Sequence, residues 1–189
     1  MQFTTAFIAS FAAISASALP QAVGTGAIPD GTRFGLITIN SGSPIQNGGV
    51  QAARKSLLVN AKNQNATCDT PTNFATFYIE DEELYLHSTD APYQTAFTDR
   101  SWFGQGIVGY TTGAEPIGTR SERKGWALGA NNELQFKGEG FQACSGSIDG
   151  GWSLWLTGVE APGGNTDCIN VAATAIKAEN PISCLYTQE

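Results

Sequence analysis

The sequence contains one histidine, His87, and that scarcity removes most imidazole chemistry at once. A Ser-His-Asp or Cys-His nucleophile needs a positioned imidazole base. His87 stands in "LYLHS", at the end of an expected strand, with no Gly-x-Ser-x-Gly elbow before it. It reads as an ordinary strand-end side chain. The usual zinc sets fail for the same reason, since none of the four cysteines lies in a Cys-x-x-Cys pair. No Asp-x-Asp-x-Asp-Gly pattern supports calcium. The sequence therefore implies no metal, no cofactor and no catalytic residue. Basic residues are also few, 10 against 17 acidic ones, for a net charge of −7. The largest basic clusters are the pairs Arg54-Lys55 and Arg123-Lys124. Nucleic acid and anionic membrane surfaces need more than that, and both are excluded as partners.

Long apolar runs are missing too. The one at residues 7–14 is too short to cross a bilayer core of about 30 Å as a helix. Followed by Ala16-Ser17-Ala18, it has the h-region and small-residue site of a secretory signal peptide, so residues 1–18 are expected to be removed. Residues 19–32, rich in Ala, Gly and Pro, form an expected extended leader, and residues 33–189 a single domain.

Secretion gives the cysteines a meaning. Cys68, Cys144, Cys168 and Cys184, an even number in an oxidising compartment, imply two disulfides. Three pairings are open. Cys168–Cys184 with Cys68–Cys144 is the favoured one, because its first bridge would pin the tail. Asn65-Ala66-Thr67, in the polar segment 61–73, is an N-glycosylation sequon on an expected surface loop.

Apolar residues recur with period two or in brief blocks: Phe34 and Leu36; Leu57 and Val59; Phe74, Phe77 and Ile79; Leu84 and Leu86; Trp126 and Leu128; Leu134 and Phe136. Gly, Asn, Asp and Pro stand at most junctions, so the prediction is all-β. Residues 171–178 have a helix-like composition, yet alternation through Ile169, Val171, Ala173 and Ala175 predicts a strand. "RFGLI" at Arg33, "ELYLH" at Glu83 and "ELQFK" at Glu133 recur at intervals of about fifty residues. "SLLVN" at Ser56 and "GIVGY" at Gly106 keep the same interval, with "WSLWL" at Trp152 close to it. This spacing predicts a β-trefoil-like barrel with threefold pseudo-symmetry, whose closure removes sheet edges. A two-sheet β-sandwich is the alternative.

Two groups of residues carry candidate chemistry. Glu80-Asp81-Glu82-Glu83, with Asp99, could supply paired carboxylates for glycoside hydrolysis, but four adjacent acids between two β-runs read as a solvated hairpin turn. Trp102, Phe103 and Trp155 are the stronger candidates. Adjacent Trp102 and Phe103 cannot both face inward from one strand, and Trp155 points away from Leu154 and Leu156. Flat aromatic faces of this kind bind carbohydrate by stacking. The stretch "TDRSWFGQGIVGYTTG" (98–113) reads first as a corner, with Gly104 and Gly106 supplying positive φ and Asp99 and Arg100 bracing it.

The stretches "FGLITINSGSPIQNGGVQA" (34–52), 98–113, "LQFKGEGFQAC" (134–144) and "GGWSLWL" (150–156), with Cys168 and the closing "CLY", resemble fungal PhiA-type cell-wall proteins, a group also labelled IgE-binding or allergen-like. The resemblance covers nearly all of residues 19–189. It departs at Trp102-Phe103, where relatives carry a small residue followed by a medium apolar one. The latter half is also similar in layout to the C-terminal domain of Pir cell-wall mannoproteins, without their glutamine-bearing repeats. The resemblance implies a secreted structural protein of the cell wall, connected with growth or conidiation and recognised by IgE; cell-wall polysaccharide is the partner the candidate aromatic residues suggest. It implies no enzyme. A non-catalytic carbohydrate-binding module or secreted effector is the alternative function.

Overall fold

The computed structural model describes residues 26–189; the expected signal peptide (1–18) and the first part of the expected leader lie outside the described residues. Period-two alternation builds the strands. In β1 (Phe34–Ile39) Phe34, Leu36 and Thr38 are buried. Thr38 is tolerated inside because its hydroxyl donates to the Ile45 carbonyl at 2.6 Å. Then follow β2 (Gly48–Ala53), β3 (Ser56–Val59), β4 (Thr67–Cys68), β5 (Thr76–Glu80), β6 (Glu83–Leu86), β7 (Gln94–Asp99) and β8 (Ile107–Thr112). The chain continues through β9 (Trp126–Leu128), β10 (Leu134–Phe136), β11 (Phe141–Cys144), β12 (Trp152–Leu156), β13 (Cys168–Lys177) and β14 (Cys184–Leu185). Helix is confined, among the described residues, to three single 3-10 turns. The segment with helix-like composition is strand β13, as its alternation predicts.

Ten strands form one antiparallel sheet that closes on itself. One circuit runs β13-β1-β2-β3-β12-β11 and back to β13; a second runs β1-β5-β6-β7-β8-β3-β2 and back to β1. The molecule is a closed all-β barrel, and closure excludes the sandwich. Strands change partner along their length: β1 pairs β5 at Phe34 and Gly35, and β2 at Ile37 and Thr38. The apolar interior holds Phe34, Leu57, Phe77, Leu84, Tyr110 and Leu156, each at most 1% exposed. The hairpin β9–β10 adds Trp126 and Phe136 to this core.

The fifty-residue pseudo-repeat is only partly visible in the pairing. Its later segments converge, since β3, β8 and β12 each pair with the other two. Its earlier segments do not occupy equivalent places: β1 and β6 are barrel strands, while β10 belongs to a separate two-stranded hairpin. Phe74 also differs from expectation. It precedes β5, is 59% exposed, and lies across Gly49, where a Cβ would meet its ring at 2.2 Å.

The disulfides correct the favoured pairing. They are Cys68–Cys184 and Cys144–Cys168. The reason is strand β13, whose ten residues separate Cys168 at its start from Cys184 beyond its end. At about 3.3 Å per residue β13 carries the chain roughly 30 Å away from Cys168 by Lys177, seven residues before Cys184. Cys168 instead stands directly opposite Cys144 across β11 and β13, and Cys184 opposite Cys68 across β4 and β14. The tail is still pinned, but to β4.

Candidate functional site: an exposed aromatic corner

The β7–β8 connection is held by its own backbone. Gly106 N–H donates to the Asp99 carbonyl at 2.8 Å, Gln105 N–H to the Ser101 carbonyl at 2.8 Å, and Ile107 N–H to the Gly104 carbonyl at 2.9 Å. The Asp99 carboxylate accepts from Ser101 N–H at 2.8 Å. Positive φ falls on Gln105 (53°) and Gly106 (84°). Gly104 is needed for space instead. A Cβ there would lie 2.2 Å from the Asp99 Cγ, so only glycine lets the loop fold back on its own carboxylate. A turn this tight has no inside for two large rings. Trp102 is 84% exposed and Phe103 78% exposed, with the Arg120 guanidinium 5.0 Å from the Phe103 ring centre.

Beside this corner lies a cleft of about 450 Å³ whose lining includes Arg100, Glu122, Glu139, Thr157 and Val159. Arg100 braces it, reaching Glu122 at 3.0 Å and Glu139 at 3.0 Å, while Lys137 also binds Glu122. The hydrogen bond from Arg100, followed by that from Lys137, holds the Glu122 carboxyl below its ordinary pKa. Glu122 is thus a fixed anion and acceptor, the opposite of the raised carboxyl that a glycosidase acid needs.

Trp155 belongs to the same corner but is not presented like Trp102. Its strand neighbour across β8 is Ile107, its indole N–H donates to Ser153 Oγ at 2.9 Å, and its ring packs on Gly163, where a Cβ would sit 2.7 Å from Cη2. Gly163 N–H in turn donates to the Gln105 side chain at 2.7 Å. The half-buried Trp155 therefore supports the turn behind the corner. Asn65, just before β4, and Thr67, its first residue, are exposed. The acidic run is a hairpin turn between β5 and β6, with Asp81 (φ 51°) and Glu82 (φ 64°) at its tip. His87 follows β6, is 7% exposed, and has a pKa lowered by burial and by Arg33.

Three tyrosines were not singled out by the sequence reasoning. Tyr78, Tyr85 and Tyr93 line a second cleft, with Arg33, Glu80 and His87. The signal was there to be read: in "FYI" and "LYL" the tyrosine sits between inward-facing residues, so it must face outward.

A family model described as "PhiA-like secreted protein" matches residues 34–187. The chain belongs to this family. Full-length relatives of the PhiA-like family agree: it is 46% identical over 190 residues, all of both chains, to "Cell wall protein phiA" of Aspergillus fumigatus. It is 45% identical to the proteins of the same name from Emericella nidulans, covering 97% of each chain, and Aspergillus niger, covering 94% of this chain and 95% of that one. No solved structure matches. Like its PhiA-like relatives, this is a secreted protein associated with the fungal cell wall.

Proposed function

We propose that the protein is a non-catalytic structural component of the wall, retained there by stacking neutral polysaccharide on the Trp102-Phe103 corner. The observation that carries this reading is the exposure of both rings on a loop locked by Asp99, Gly104 and Gly106. Two adjacent large aromatics held in water gain nothing for the fold, and a patch of that kind marks a binding surface. The braced Arg100–Glu122–Glu139 cluster alongside supplies charged hydrogen-bonding groups for sugar hydroxyls. Family membership further motivates a role in growth or conidiation and recognition by IgE. Asn65, exposed on its loop, is the proposed glycan attachment site.

The test is sedimentation of the secreted protein with insoluble β-glucan and with chitin. Trp102→Ala/Phe103→Ala should weaken binding about tenfold or more, as expected from the loss of two stacked rings, and no reducing sugar should appear on prolonged incubation. Binding unchanged in the double variant would remove the corner from the reading. Sugar release abolished by changing one carboxylate would remove the non-catalytic assignment.

A further inference from the structure

We infer that the cleft lined by Tyr78, Tyr85, Tyr93, His87 and Arg33 is a second binding site for a neutral pyranose chain, placed at the opposite end of β7 from the Trp102 corner. This rests on the wall-polysaccharide reading and extends it, since a barrel with a site at each end can bridge two chains.

The cleft has a volume of about 500 Å³. Tyr78 and Tyr85 are direct cross-strand partners on the outer face of β5 and β6, their rings stacked with centres 5.0 Å apart and planes 14° from parallel. A cross-strand tyrosine pair alone would be ordinary sheet packing. Three further features are not explained by packing. Tyr93, from the segment before β7, brings a third ring to the same cleft and leaves it 50% exposed. Arg33 lies 4.4 Å from the Tyr78 ring centre and donates to the Gly31 carbonyl at 2.5 Å, with no carboxylate partner among the described residues, so the rest of its guanidinium is left for a ligand. His87 lines the cleft while only 7% exposed, and its buried Nδ1 finds no hydrogen-bond partner among the described residues. A buried polar group normally has one.

The chemistry selects the ligand class. Flat aromatic faces stack on the apolar face of a pyranose ring, and phenol, guanidinium and imidazole groups hydrogen-bond its hydroxyls. Tyr78 keeps a phenolic proton to donate, while Tyr85, whose O–H donates to the Glu83 carboxylate at 2.7 Å, offers its oxygen as an acceptor. Glu80 adds a carboxylate acceptor at the edge. The overall charge of −7 disfavours polyanionic glycans. Strand β7 sets the spacing: Tyr93 directly precedes its six residues and Trp102 follows shortly after, which separates the two sites by about 20 Å.

The experiment titrates the full secreted protein with laminarihexaose and chitohexaose, and separately measures turbidity with soluble high-molecular-weight β-glucan. Tyr93→Ala changes a half-exposed side chain outside the strands, and Tyr85→Phe keeps the ring. They should weaken hexasaccharide binding at this cleft roughly tenfold and about fivefold, the loss of one stacked ring and of one neutral hydrogen bond respectively. Wild-type protein should cross-link the polymer, whereas Tyr93→Ala and Trp102→Ala should each bind it without cross-linking. If hexasaccharide binding and cross-linking are lost in Trp102→Ala but unchanged in both tyrosine variants, this inference is overturned and the corner reading stands. If wild type binds neither oligosaccharide, both fail together. Loss in the tyrosine variants alone would support the cleft and remove the corner.

Discussion

Trp126 is 1% exposed, its ring edge-on to Phe136 at 4.9 Å and near parallel to Phe141, whereas Trp102 is 84% exposed. Truncating each should therefore separate stability from binding. Trp126→Ala is expected to cost about 3–5 kcal/mol in urea denaturation, while Trp102→Ala should stay within about 0.5 kcal/mol of wild type. Single titrating groups make a second prediction. Burial, then Arg33, lowers the His87 pKa below 6.5, with Asp69 opposing, so between that lowered value and 6.5 the unfolded chain binds the more protons. Stability at His87 is thus complete above pH 6.5 and falls as the pH drops toward the lowered value. Glu122, held below 4.5 by Arg100 and Lys137, contributes stability above that pH and loses it on further acidification. Urea midpoints followed against pH should show both declines, and His87→Gln should remove only the upper one.

Elements are joined here by buried glutamines as much as by backbone ladders. Gln94, 1% exposed at the start of β7, accepts from Tyr186 N–H at 2.8 Å and donates to the Tyr186 carbonyl at 2.9 Å, clamping the tail after β14. Gln51 makes the same paired contact with Ala61, at 2.6 and 2.7 Å. Gln94→Leu would leave both backbone groups of Tyr186 unpaired, with an expected cost of about 2–4 kcal/mol. Limited proteolysis should then release the C-terminal residues first. These clamps mark where sequence reasoning stops. Alternation in "RFGLI" or "FYI" shows which side of a strand is apolar, and most of the strands were legible that way. A glutamine at an inward position breaks that pattern, because its place depends on a distant segment that needs the amide. β2 is hard to see for this reason, with Gly48, Gly49 and Gln51 among its six residues. The corner aromatics were legible because two large neighbours cannot both be buried. The outward tyrosines of β5 and β6 were legible by alternation, but the cleft was not, because Arg33 reaches it only through the long-range pairing of β1 with β5.

For the molecule as a whole, the two disulfides close loops of different length, with separations of 116 residues for Cys68–Cys184 and 24 for Cys144–Cys168. Loop-closure entropy then gives about 4.8 and about 3.4 kcal/mol. Cys68→Ser/Cys184→Ser should accordingly destabilise more than Cys144→Ser/Cys168→Ser in guanidinium titrations, and peptide mapping should recover the 68–184 and 144–168 cross-linked fragments. The all-β class and the barrel were readable from strand spacing and turn residues, but the cysteine partners were not, since they follow from register across β11–β13 and β4–β14. The same long-range order has a consequence during synthesis. β1 finds its main partner in β13, through six register pairs from Phe34–Lys177 to Ile39–Ala172. A nascent polypeptide threading into the secretory lumen therefore leaves one edge of β1 without its partner until the last segments emerge, the interval in which edge-to-edge association is easiest. Truncated products ending before β13 would be left with an open seam, natural targets for quality-control disposal.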